Sequence, residues 1–346
     1  MEVMEHRLSP GKLLDLHGHL REAGYATSLV REYDRGDIKA PALRIKEWDY
    51  YLIYNGRFGV ALTLDDNSYM SMLSASILDF TKPWEKTVSP IGAFPMGKTK
   101  LPSSSAAGVS HLAIGKSEFT FAVKDGTRHL KCHLEKFLDG KPFDADIILT
   151  EEPEDSMVIA TPFPCAPKAF YYNQKIVGMR ASGKVSAGGT EYIFDPKDSF
   201  GLLDWGRGVW TYSNTWYWGA GHGEVDGHVV GFNIGYGFGD TSAASENMIF
   251  VDGRAHKLEQ VTFNIPQTAD GKDDFMSPWT FTSSDGRFEM DFFPVLDRAS
   301  NTNVLVIESD QHQVFGKFNG RMILDDGSVV ELKDFLGFAE KVKNRW

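Results

Sequence analysis

Residues 198–210 read DSFGLLDWGRGVW, and residues 334–346 read DFLGFAEKVKNRW. At an offset of 136 residues, Asp198 falls on Asp334, Gly201 on Gly337, Asp204 on Glu340, Arg207 on Lys343 and Trp210 on Trp346. Each segment follows a comparable hairpin, Gly183 to Phe194 in one case and Gly320 to Leu332 in the other. A second match lies upstream. Trp48, Asn55-Gly56 and the run Phe58 to Leu64 resemble Trp216, Asp226-Gly227 and the run Val229 to Gly235. Two matches in the same order mark an internal duplication, the signature of a repeated structural unit. Each unit begins with a Trp-bearing strand and ends in a Gly–apolar–acid–base–Trp segment.

Working outward, the chain is written mostly in strands. Runs such as Trp48 to Tyr54, Ser117 to Val123, His129 to Phe137, Phe143 to Leu149 and Ala169 to Met179 are rich in aromatic and β-branched residues. Turn pairs such as Asn55-Gly56, Asp125-Gly126 and Asp139-Gly140 separate them, at about ten-residue spacing, which predicts antiparallel sandwiches or barrels. One segment differs. Leu13, Leu14, Leu16, His17 and Leu20 lie near one helical face with Gly24 as a stop signal, which predicts an N-terminal helix. The expected organisation is a helical segment over 1–24, a first β-barrel domain over 25–209 and a second over 210–346. A length of 346 residues suits two cores better than one. Met96 to Gly108, with small residues from Ser103 to Ala106, reads as an exposed loop, either a crossover or a lid.

A net charge of −11 argues against a nucleic-acid partner, since no basic face would meet the phosphates, and against an anionic membrane surface. No segment approaches the ~20 apolar residues of a membrane span, so no stable insertion is expected, and the chain is read as cytoplasmic. Cys132 and Cys165 are read as two solitary core thiols. Metal-ligand spacings, a nucleophile elbow and a phosphate loop in its proper strand–loop–helix setting are all missing, so neither metal nor cofactor is expected.

The chemistry concentrates in Asp204 to Gly223, DWGRGVWTYSNTWYWGAGHG, which holds half of the eight tryptophans. Along a strand, Trp210, Tyr212, Asn214, Trp216 and Trp218 would share one face. Buried indole N–H and phenol O–H groups need partners, so this face suits either a ligand wall or a seam between barrels. Asp204 and Arg207, three apart, form either a structural ion pair, echoed by Glu340 and Lys343, or part of a site. An Asp204 buried without its Arg would serve as a general acid. Glu246-Asn247 precedes a strand, and either reaches into a barrel mouth or ends a solvated loop. His222, between two glycines, reads as a surface turn residue.

Asp204-Trp-Gly-Arg207-Gly, Trp216-Tyr-Trp218, Gly231-Phe-Asn233, Glu246-Asn247 and the terminal Glu340-x-Val342-x-Asn344-x-Trp346 together resemble a bacterial family of unknown function. That family is similar in architecture to the double-calycin, or lipocalin-like, proteins, which include carotenoid hydratases and tocopherol cyclase. The resemblance implies a mostly β fold of two related antiparallel calycin barrels, with a pocket at their junction for a hydrophobic small molecule. It implies a cofactor-independent acid/base enzyme of hydratase, isomerase or cyclase type. Asp204 or Glu246 would then move the proton, with Arg207, Trp210, Tyr212, Asn214, Trp216, Trp218 and Asn247 holding the substrate. Two other readings stay open: a lipophilic-ligand carrier with the same aromatics and no turnover, and a carbohydrate-processing enzyme built on Trp platforms and paired carboxylates.

Overall fold

The computed structural model describes residues 5–304 and 307–345, and its regular structure is almost wholly antiparallel β. Ten strands make up the main path of the first sheet: β1 (Ile45–Tyr54), β2 (Phe58–Asp66), β3 (Met70–Asp79), β4 (Trp84–Val88), β5 (Gly108–Ile114), β6 (Ser117–Lys124), β7 (Thr127–Leu138), β8 (Lys141–Thr150), β9 (Phe170–Ala187) and β10 (Phe200–Val209). Nine build the second: β11 (Ser213–Val225), β12 (His228–Tyr236), β13 (Met248–Val251), β14 (Arg254–Lys257), β15 (Val261–Asn264), β16 (Trp279–Ser283), β17 (Phe288–Val304), β18 (Ile307–Ile323) and β19 (Val329–Arg345). The sheet changes between Val209 and Ser213.

The duplication is visible in the ladders. The first sheet runs β4-β3-β2-β1-β10-β9-β8-β7-β6-β5 and the second β14-β13-β12-β11-β19-β18-β17-β16-β15, the same path with one strand fewer. Register agrees as well. Asp204 lies opposite Tyr50 and Gly206 opposite Trp48, while Glu340 lies opposite Trp218 and Val342 opposite Trp216. Asp204 and Glu340 therefore hold equivalent places, as do Trp48 and Trp216. The first sheet curls until β3 and β2 come against β5, and the second until β12 approaches β15. Trp346, the last partner in the repeat, lies outside the described residues.

Alternation sets the faces. Along β8, Phe143, Ala145, Ile147 and Leu149 are buried while Asp144, Asp146 and Ile148 face outward. All ten residues of β10 are buried, because this strand is covered on both sides. Leu203, Trp205 and Val209 point into the first core, and Leu202 points to the second sheet. There Tyr50, Leu52, Tyr54 and Leu202 meet Trp218, Ala220, Phe315 and Phe338 in an apolar cluster that joins the halves.

The expected N-terminal helix does not form. Asp15 Oδ1 accepts the backbone N–H groups of His17 and His19 at 2.8 and 2.9 Å, and Gly18 adopts φ +80°. Such local side-chain capture of the backbone competes directly with a helix. Leu13 and Leu14 are buried, but Leu16 is 92% exposed, so the helical stripe is broken. Of the two thiols, Cys132 is buried and Cys165 is exposed, so the second is not a core residue. The segment expected as an exposed loop does expose Met96, Ser103, Ala106 and Gly108, but it is tied down between them: Leu101 and Ser105 are buried, and the Pro102 and Ser105 carbonyls each accept from a buried arginine, Arg207 and Arg128, at 2.9 Å.

Candidate functional site

Three carboxyl groups meet where β9 and β10 face β11, β18 and β19. On β9 the odd residues Tyr171, Asn173 and Lys175 share the face turned to the second sheet, in register with Gly208, Gly206 and Asp204 of β10. Lys175 Nζ lies 3.1 Å from Asp204 Oδ1 and 3.9 Å above the Trp218 ring. Asn173 Nδ2 donates to Asp204 Oδ1 at 2.6 Å and to the Trp205 carbonyl at 2.9 Å. From the second sheet, Trp216 Nε1 donates to Glu340 Oε1 at 2.9 Å, and Gln313 Nε2 donates to Oε2 at 3.1 Å. Trp218 Nε1 donates to Asn233 Oδ1 at 2.7 Å. The Asn233 amide in turn donates to the Glu246 carbonyl at 2.7 Å, which places Glu246 against this group.

The electrostatics follow from burial. Asp204, Glu246 and Glu340 are 8, 6 and 8% exposed. Loss of water lifts Glu340 to about 7, against the opposing pull of the Trp216 N–H, Lys175 and Arg298. Burial also raises Glu246, with Lys175 opposing and Asp204 reinforcing the shift. The Tyr171 phenol is pushed well up, first by burial and then by Glu246, Asp204 and Glu340. Burial thus disfavours the charged form of both glutamates, and Glu340 is the one that keeps its proton up to about 7.

Beside the acids stands an aromatic cluster. Trp48, Trp210 and Trp216 are each partly exposed and meet edge to face, at 5.3 Å for the first pair and 5.8 Å for the second. Tyr171 lies parallel to Trp48 at 6.1 Å, and Phe238 closes on Trp210, Trp216 and Tyr171. Glycine makes this possible. A Cβ on Gly206 would sit 1.9 Å from the Trp48 ring, so the indole lies directly over bare backbone.

Among the residues singled out from sequence, Asp204, Glu246, Trp210, Trp216 and Trp218 converge here. Glu246 is buried rather than part of a solvated loop end. Trp218 is packed, with Lys175 on its face and Tyr50 and Phe338 at its edges. Asn214 hydrogen-bonds Thr211 and shapes the turn, and Asn247 accepts from the Gly235 N–H at 2.7 Å. Tyr212 is 44% exposed, outside the strand, so the five-residue aromatic face is interrupted.

Asp204 and Arg207 do not pair. Three residues apart on a strand, they point to opposite faces. Arg207 lies inside the first barrel, with Nη1 3.0 Å from Asp49 Oδ1, Nη2 on the Pro102 carbonyl and Trp205 at 4.4 Å. It does not reach the acid cluster. Likewise Lys343 approaches Glu308 at 3.9 Å rather than Glu340. His222 is no surface residue. It is 3% exposed within β11, stacked on Tyr54 at 4.2 Å, and burial lowers its pKa to about 3. Tyr171, Asn173, Lys175 and Gln313 escaped the sequence reading, and Asn233 entered it only within the Gly231-Phe-Asn233 motif. Their one signal is polar side chains at alternating positions in otherwise apolar strands. Among the described residues no group of three or more His, Cys, Asp or Glu has metal-binding geometry, and no helix is long and apolar enough to cross a membrane.

The family described as Domain of unknown function (DUF2804) matches residues 5–346, and the chain belongs to it. No curated protein matches in sequence. Among solved structures, one similar chain is a protein of Nitrosomonas europaea assigned as an AttH. It shows 11% identity and a TM-score of 0.52, over 90% of this chain and 96% of that one. Another is kievitone hydratase from Nectria haematococca, with 11% identity and a TM-score of 0.44, over 87% of this chain and 88% of that one. The first is a likeness of fold, and it agrees with two related calycin-like units; the second is too distant to bear on the chain.

Proposed function

We propose that this chain is an acid/base enzyme of hydratase, isomerase or cyclase type, acting on a hydrophobic small molecule at the junction of its two sheets. One observation carries this reading: Glu340 is buried at the junction with the Trp216 indole N–H on its carboxyl, and burial lifts its pKa to about 7. A general acid works best when its pKa lies near the operating pH, where both protonation states are accessible. Glu340 gives or takes the substrate proton, and Glu246, also raised by burial, serves as the second proton carrier. Asp204 is held by Lys175 and Asn173, which suits it to stabilising positive charge near the indole rings rather than to moving a proton. Trp48, Trp210 and Trp216 hold the apolar body. The reading needs no cofactor.

The test is incubation with a panel of polyenes, terpenoids and polyketides, with products followed by mass spectrometry. The expected product is isomeric with its substrate or heavier by one water. Glu340→Gln should lower turnover by about 100-fold or more, within the usual contribution of general acid–base catalysis. A lipophile that co-purifies and comes back unconverted from the native protein would make the chain a carrier instead.

A further inference from the structure

The acid cluster also says what kind of molecule would complete it. Asn173 is fully buried, and its amide is fixed in orientation because Nδ2 donates to two acceptors, Asp204 Oδ1 and the Trp205 carbonyl. Its Oδ1 is left without a hydrogen-bond partner, and so is Oε2 of Glu246, a residue 94% removed from solvent. On the Asp204 side both orphaned atoms can accept, Glu246 Oε2 when its carboxyl is ionised, while at the Glu340 end the orphan is a donor, Arg298 Nη1. Leaving such groups dry and unpaired is costly, and what satisfies the two acceptors must be a donor.

Charge points the same way. Three carboxyl groups converge, and the cation hydrogen-bonded among them is Lys175, already taken by Asp204. Lys257 acts on Glu246 through charge alone and is engaged by Glu5 at 2.6 Å, and Arg298 acts likewise at the Glu340 end. With its carboxyls ionised the Asp204–Glu246 side is thus short of positive charge, and the aromatic group beside it is built of indoles, whose faces attract cations.

We propose that the ligand of this site is an organic cation, a protonated amine on an apolar body. Its N–H groups satisfy Asn173 Oδ1 and Glu246 Oε2 while its body rests on Trp48, Trp210 and Trp216. This narrows the substrate class of the proposed function and rests on that reading for its location. An acidic ligand is excluded by the carboxyl groups, and a neutral alcohol would supply a donor without the missing charge.

The experiment compares aryl-alkyl and long-chain primary amines with their matching alcohols, using tryptophan fluorescence and calorimetry on the full chain. The amines should bind at least about ten-fold more tightly than the alcohols, a difference equal to roughly 1.4 kcal/mol. Glu246→Gln should erase that preference, and Glu246→Asp, which keeps the charge, should retain most of it. Because these two variants share one backbone, their contrast separates charge from folding. Equal binding of alcohols and amines would overturn the cation proposal yet leave a lipophile site standing. An amine preference untouched by Glu246→Gln would also overturn it. Failure of both ligand sets to perturb the tryptophans would remove the proposed location itself.

Discussion

Glu340 is the residue on which the chemistry turns, and its titration can be checked without a substrate. Its ordinary value is 4.5, and burial lifts it to about 7. Between those values the native chain keeps a proton that the unfolded chain has lost. The stability from the protonated carboxyl is therefore complete below 4.5 and drains away as pH rises toward about 7, a loss on the order of 3 kcal/mol. Urea unfolding at pH 5 and pH 8 should show this as a slope that Glu340→Gln removes. Parallel curves for the two proteins would mean an ordinary, solvated carboxyl. Lys175→Met tests the neighbouring pair: it strands Asp204 in a dry site and should cost about 3–5 kcal/mol in the same measurement. The acids were legible in the sequence only in part. Asp204 stands out beside tryptophans and Glu246 at the start of a strand, whereas Glu340 shows only as the partner of Asp204 in the repeat, spaced as if to pair with Lys343. Spacing of three suggests contact on a helix and forbids it on a strand, so the ion-pair reading failed in both copies for one reason.

Among the elements, the clearest are β10 and the segment 96–108 that folds onto it. The two buried arginines tie that segment down through the Pro102 and Ser105 carbonyls, and Asp66 Oδ2 accepts from the Gly97 N–H at 2.9 Å and from Thr99 Oγ1 at 2.6 Å. Its small side chains suggest exposure, and Ser103 and Ala106 are exposed, but the anchoring by backbone carbonyls leaves no mark in a sequence. Arg207→Ala would free the Pro102 carbonyl and leave Asp49 and Glu47 buried without this cation. The expected result is a loss of about 3–5 kcal/mol, with faster hydrogen exchange concentrated in residues 97–108. Unchanged exchange there would show that the segment is held by its own packing. On the other face of β10, Gly206→Ala places a methyl group where Trp48 lies. It should displace that indole and change the tryptophan emission, at a cost of about 1–3 kcal/mol. The strands were readable because alternation is strict wherever one face is wet. The N-terminal helix was misread because Asp15 intercepts the backbone within a segment whose leucines happen to fall at helical spacing.

At the scale of the molecule, duplication was readable from two short matches, since equivalent strands keep the same ladder register. What no ladder reveals is how two sheets face each other, and the site depends on that apposition. Tyr171, Asn173, Lys175 and Asp204 come from the first half, and Trp216, Trp218, Glu246 and Glu340 from the second. The halves are joined there by Leu52, Leu202, Phe315 and Phe338, all at 0% exposure, and by Tyr54, whose hydroxyl accepts from the His222 N–H at 2.9 Å. Neither half can complete the site, and each would expose this apolar face if parted from the other. Phe338→Ala provides the test. It leaves a void in the shared cluster and should destabilise by about 3–5 kcal/mol. If the halves form one cooperative unit, the loss must appear equally in both. Hydrogen exchange at Ile53 in β1 and at Ala220 in β11 should then accelerate together, and thermal unfolding should remain a single transition at lower temperature. Acceleration confined to residues 213–345, or a melt that splits into two steps, would show instead that the second half unfolds alone. The acid cluster would then be assembled by docking rather than by folding.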